Sequence, residues 1–152
     1  MKRLLAGLIG ATLLLPASYG LSHEHPAHVD AIGRPGVKSK AGRTIEVSMH
    51  DDMRFVPASI QVKRGETVRL VVKNVGQMNH ELMLGTEKDL KAHAAIMRQH
   101  PDMEHDEPHA VTVEPGQTRE LVWQFSRAGE FKFACLRPGH FEAGMVGRLS
   151  VQ

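Results

Sequence analysis

From Thr44 onward the apolar residues of the chain stand two apart in short runs. Ile45, Val47 and Met49 form one set, then Ile60 and Val62, then Val68, Leu70 and Val72; farther on come Val111 and Val113, then Leu121, Trp123 and Phe125, then Phe131, Phe133 and Cys135. A period of two puts alternate side chains on opposite faces of the backbone, so each run reads as a strand with one buried face. Turn residues separate the runs at Arg64-Gly65-Glu66, Asn74-Val75-Gly76, Glu114-Pro115-Gly116 and Ala128-Gly129, and a last strand is predicted near Gly147 to Val151. Roughly seven short strands with a turn every eight to twelve residues predict an all-β fold, an antiparallel two-sheet sandwich. One segment departs from the alternation. Thr86 reads as an N-cap with Asp89 three residues on, and Glu87 to His100 is rich in Ala, Leu, Lys and Met before Pro101 stops it. This predicts a short helix inserted between strands.

The N-terminal segment bears on the expected compartment and, through the charge balance, on the partners to be expected. Lys2 and Arg3 precede an apolar run from Leu4 to Leu15, followed by Pro16 and the small residues Ala17, Ser18 and Gly20. Residues 1–20 read as a secretory signal peptide. The apolar run is shorter than the roughly 20 residues a bilayer requires, so no membrane span is expected after cleavage and the periplasm is the expected destination. The chain carries 19 Lys and Arg against 17 Asp and Glu; losing Lys2 and Arg3 leaves 17 against 17. With no basic excess to neutralise phosphates, nucleic acid is not an expected partner. Residues 21–43, poor in large apolar groups and rich in His, Pro, Gly and Lys, read as a flexible tail. The domain is expected over 44–152, with a His- and Met-rich insertion at about 85–109, and the protein is expected to be a monomer.

Cys135 is the only cysteine. It cannot form an internal disulfide, and in an oxidising compartment it is an inert buried thiol, half of an intermolecular disulfide, or a metal ligand. The residues after it favour the last. Cys135, His140 and Met145 stand at C-x4-H-x4-M, with Pro138-Gly139 turning the chain and Gly144 beside the methionine. Thiolate, imidazole and thioether need one more imidazole to complete a His2Cys set with a weak axial Met, the arrangement that suits copper in electron-transfer sites. His80, just after the turn at Gly76 and at the start of an apolar strand, is the best supplier. Zinc is the poorer fit, because structural zinc sites take four strong donors and avoid thioether.

With these residues in view the chain resembles the cupredoxin (type 1, blue-copper) family. The resemblance covers Thr44 to Gln152 and rests on Phe55-x-Pro57, on Ile60-x-Val62-x-x-Gly65-x-x-Val68, on His80, and on the Cys135/His140/Met145 loop. It implies a Greek-key β-sandwich holding one type 1 copper, with His80, Cys135 and His140 as equatorial ligands and Met145 as the axial one. Its loop spacing looks like that of members with a long ligand loop. Many members place Asn or Ser directly after the first His, where it braces the Cys loop; here Glu81 follows. In multicopper oxidases and copper nitrite reductases, His residues flank the type 1 Cys, whereas Cys135 lies between Ala134 and Leu136. An enzyme is therefore not expected, though oxidation of cuprous ion is left open. A transient redox partner would dock on an apolar rim of Pro138, Phe141 and Ala143 around the edge of His140, residues that ordinary packing over the loop would also explain.

Between Met78 and His109 lie nine His or Met residues, of which the core site uses only His80. In a helix, His93, Met97 and His100 fall at i, i+4 and i+7 and share a face. That face either binds Cu(I) or packs the helix down through Met97. Met103, His105 and His109 stand among acidic residues in a metal-attracting loop, and His23 and His25 in the tail offer nitrogen donors for Cu(II) near a free amine. The chain also resembles periplasmic cupredoxins associated with copper tolerance, which carry similar additions. Copper binding in tolerance or homeostasis, with Cu(I)/Cu(II) redox at the core site, is the expected function. The alternative is a soluble cupredoxin that shuttles electrons between respiratory partners.

Overall fold

The computed structural model describes residues 31–101 and 107–152. The predicted signal segment, His23, His25, Met103 and His105 lie outside these residues. Among the described residues the strands are β1 (Gly33–Pro35), β2 (Arg43–His50), β3 (Arg54–Val56), β4 (Ser59–Val62), β5 (Thr67–Asn74), β6 (His80–Gly85), β7 (Ala110–Val113), β8 (Thr118–Phe125), β9 (Gly129–Ala134) and β10 (Val146–Val151). The helix α1 (Glu87–Gln99) is inserted between β6 and β7, as its capping residues predict. Thr86 Oγ1 accepts from the Asp89 N–H at 3.2 Å and donates to Asp89 Oδ2 at 2.6 Å, and the helix stops at His100 before Pro101.

The strands form two five-stranded sheets, in the orders β1-β8-β5-β2-β3 and β4-β10-β9-β6-β7. Their inner faces carry the alternating residues read from the sequence: Val68, Leu70 and Val72 on β5, Leu121, Trp123 and Phe125 on β8, Phe131 and Phe133 on β9, all buried in one core. Most ladders are antiparallel, but β2 runs parallel to β5 and β4 parallel to β10. The first of these pairs matters for the site. In the β2/β5 register Met49 stands opposite Asn74, so the turn after β2 and the loop after β5 emerge side by side at one end of the sandwich.

β6 is buried on both faces, with Leu82 and Leu84 in the main core and Met83 in a second cluster with Leu90, Ala94 and Met97 of α1. That explains why its sequence is a continuous apolar run after His80 and Glu81 rather than an alternation. Ala134, Leu136, Phe141 and Val146 also belong to this second cluster. Each is next in sequence to Cys135, His140 or Met145, so the helix backs the ligand loop. Arg98, in the last turn of α1, also pairs with Glu142 within that loop.

The predicted tail ends sooner than residue 43. Ile32 is buried, Gly33–Pro35 pairs antiparallel with β8, and Lys38–Lys40 forms a single 3-10 turn. Gly33 lies so close to its neighbour that a Cβ there would meet the Gln124 carbonyl oxygen at 1.9 Å. A three-residue strand built of Gly, Arg and Pro shows no alternation, so its composition resembles that of a tail. Among the described residues no helix is long and apolar enough to cross a membrane.

Candidate metal centre

Three strand ends converge where β2 and β5 emerge. His80 opens β6, Cys135 directly follows β9, and Met145 directly precedes β10. The Cys135 N–H donates to the Met145 carbonyl at 3.1 Å, which continues the β9/β10 ladder one step beyond Val146↔Ala134. Between them the chain makes compact turns: His140 N–H to Arg137 O at 2.9 Å, Gly144 N–H to Phe141 O at 3.0 Å, and Met145 N–H to His140 O at 3.0 Å. Gly139 (φ 85°) and Gly144 (φ 93°) sit in the left-handed region that these turns require. As a result the donor atoms of His80, Cys135 and His140 all lie within 4.8 Å of one another, and the Cys135 Sγ is 3.3 Å from His140 Nδ1. His80, Cys135 and Met145 are fully buried, while His140 keeps a partly exposed edge.

The surroundings prepare these groups for a cation. His80 Nε2 lies 2.9 Å from Asp51 Oδ1, whereas its Nδ1 is buried with no hydrogen-bond partner. A buried nitrogen without a partner costs about 1–3 kcal/mol unless something fills the gap. Burial, opposed by the Arg137 and Glu81 N–H groups, pushes the Cys135 thiol up to about 12, so in neutral solution it stays protonated unless a cation displaces the proton. Burial first, then the nearby His80 and Arg137, holds His140 below its ordinary value and keeps its lone pair available. Two imidazoles, a thiol and a buried thioether on adjoining strand ends fit copper.

Glu81 performs the bracing that its unusual identity left open. Its N–H donates to Cys135 Sγ at 3.3 Å, and its Oε2 accepts the Leu136 N–H at 3.3 Å. The β6/β9 ladder ends at Met83↔Ala134, and the Glu81 carboxyl takes over the pairing where the strands separate. Two further residues, Asp51 and Asn74, have no metal-ligand signature in sequence. Asn74 is fully buried; its Nδ2 donates to Met78 O (2.7 Å) and Val113 O (2.9 Å), and its Oδ1 accepts the Gly76 N–H (2.9 Å), fixing the loop that leads to His80. Only the parallel β2/β5 pairing, which alternation does not reveal, would have placed Asp51 beside that loop.

The surplus His and Met residues are not gathered in the same way. Leu90, Ala94 and Met97 are themselves i, i+4 and i+7, and this is the stripe of α1 that is buried. Met97, 2% exposed, shares a buried cluster with Leu90 and Leu136, in line with the packing alternative read from the sequence beside a copper face with His93 and His100. His93 is half-buried, His100 is exposed at the helix C-terminus, and His109 is half-buried with its ring 6.3 Å from that of Trp123. Met97→Leu keeps the volume, so it should change stability by less than about 1.5 kcal/mol. Metal analysis should find the same copper per chain, and a lost copper would reinstate Met97 as a ligand.

A two-sheet sandwich that gathers a thiol and two imidazoles at one end defines a cupredoxin-type copper protein. Residues 43–152 match the family described as copper binding proteins of the plastocyanin/azurin family, and the chain belongs to that family. Its relatives include the copper-resistant cuproprotein CopI of Rubrivivax gelatinosus, 56% identical over 131 residues (86% of this chain and 79% of that one). The copper-resistant cuproprotein CopI of Pseudomonas aeruginosa is 39% identical over 99% of this chain and 98% of its own. Among solved structures, auracyanin B aligns with a TM-score of 0.64 at 24% identity, covering 79% of this chain and 96% of that one. An azurin of Methylomonas sp. strain J aligns at 0.61 and 18% identity over 74% of this chain and 99% of its own. At these identities the two structures bear on the fold alone, and that fold is the cupredoxin sandwich.

Proposed function

We propose that this is a periplasmic copper-tolerance protein that holds copper at His80, Cys135, His140 and Met145. The observation that carries the reading is the convergence of His80, Cys135 and His140 within 4.8 Å, in a chain 56% identical to a copper-resistant cuproprotein. Copper supplies the one-electron Cu(I)/Cu(II) couple when bound. The chain supplies a cage: Cys135 is fixed through Met145 O and the Glu81 N–H, His80 through Asp51, and His140 through the turn at Arg137. Holding the donors nearly still lets both oxidation states share one geometry. The partly exposed edge of His140 is the route by which an electron would reach a transient partner. No His flanks Cys135, which favours binding and electron exchange over catalysis. Export follows from the reading of residues 1–20 as a signal peptide.

A deletion strain tests the role. Sensitivity to copper with normal respiration, restored by the wild-type gene, is expected. A respiratory defect without copper sensitivity would establish the shuttle role instead.

A further inference from the structure

Asp51 lies in the turn after β2, 29 residues before His80 in sequence, and yet it makes the contact that decides which nitrogen of His80 is free. Its Oδ1 is 2.9 Å from His80 Nε2, and the same carboxylate accepts the Gln77 N–H at 2.7 Å and the Met78 N–H at 3.3 Å. An ionised carboxylate only accepts hydrogen bonds, so Nε2 must carry the proton. In a neutral ring Nδ1 is then the nitrogen with the lone pair, and it is the atom buried without a partner. The approach of the two loops is secured from behind as well: Val75 N–H donates to Met49 O at 3.0 Å, and Gly76 is packed so tightly on Asp51 that a Cβ would fall 1.9 Å from its Oδ1. His80 is fully buried, whereas the Asp51 side chain is 34% exposed, so a negative charge at the surface is linked to the centre through a single imidazole.

We propose that Asp51 is a positioning residue for the copper centre: it fixes His80 as the Nε2–H tautomer with Nδ1 facing the metal, and its charge biases the centre toward Cu(II). The inference rests on His80 being a copper ligand. A carboxylate bonded to the far nitrogen of a ligating imidazole orients the ring and raises its basicity. The added negative charge stabilises the doubly charged ion more than the singly charged one, because the attraction scales with the charge.

Three variants of the full chain separate charge, hydrogen bond and position. Asp51→Asn keeps an acceptor for Nε2–H, removes the charge, and gives up the acceptor for the Gln77 N–H. It should retain the Cys135-dependent visible band, raise the reduction potential, and weaken Cu(II) affinity more than Cu(I) affinity. Asp51→Ala removes both features and should cost about 10–100-fold in Cu(II) affinity. Gly76→Ala touches no ligand, but should push the carboxylate aside and shift affinity and potential in the same direction. Combined with Asp51→Ala, it should add little, since the space is then empty. If Asp51→Asn leaves the potential and both affinities unchanged, or if Gly76→Ala and Asp51→Ala add in full, Asp51 has no such role. A wild-type protein without a Cys135-dependent band would instead overturn the ligand assignment on which the inference rests.

Discussion

In the Cys135→Ser variant the intense thiolate-to-copper band is expected to vanish, and copper affinity should fall by more than the roughly 10–100-fold that loss of an outer hydrogen-bond partner costs. The thiolate is the one soft anionic donor among the three converging groups, and a hydroxyl at the same place is neither soft nor readily ionised. The metal-free variant should nevertheless fold. Ser occupies less space and can still accept the Glu81 N–H that now reaches Cys135 Sγ at 3.3 Å. Placing a hydroxyl in that buried site should cost no more than about 1–3 kcal/mol. Circular dichroism and thermal melting of the metal-free protein, beside visible spectra and metal analysis of the loaded one, separate the two effects. A variant that keeps the band would remove Cys135 from the centre, and one that fails to fold would make Cys135 first of all a packing residue.

What could be read from sequence, and what could not, divides along the range of the interactions. The strand faces were legible because alternation is local: Val68, Leu70 and Val72 alternate on β5 whatever the strand pairs with. The helix was legible for the same reason, since Thr86, Asp89 and Pro101 act within one turn of its ends. The turns that bring His140 back to Cys135 needed only chain direction and the glycines at 139 and 144, and the approach of His80 needed only the idea that a second imidazole comes from a neighbouring strand end. Contacts between residues far apart in the chain leave no such local pattern. Asp51 meets His80 only because β2 runs parallel to β5, and Ile32 and Gly33 belong to the sandwich only because β8 offers an edge. Met97 belongs to two overlapping helical stripes, and only the fold shows that it lies in the buried cluster with Leu90 and Leu136.

Cys135 directly follows a strand that carries Phe133 in the core, and replacing that ring should have a large effect on stability. Phe133 is fully buried, meets Phe55 edge-on at 5.0 Å and 73°, and lies across Gly147 on the neighbouring strand. Phe133→Ala removes the ring and leaves a cavity that the two sheets cannot close, so it should cost about 3–5 kcal/mol. For a domain of this size that is a fall of roughly 10–20 °C in Tm. Gly147→Ala attacks the same contact from the other side. Its Cβ would lie 2.1 Å from the Phe133 Cζ, and overpacking of this kind costs about 1–3 kcal/mol. The two losses should not add, because the methyl at 147 enters the space that the ring vacates; the double variant should be more stable than the sum of the single effects allows. The visible band should survive in both single variants when they are loaded with copper in the cold. Cys135 is held by Met145 O and the Glu81 N–H, through bonds that do not pass through the ring. Full additivity would mean that the ring and Gly147 act independently. Loss of the band in folded Phe133→Ala protein would mean that the core, and not the hydrogen bonds around Cys135, sets the geometry of the centre.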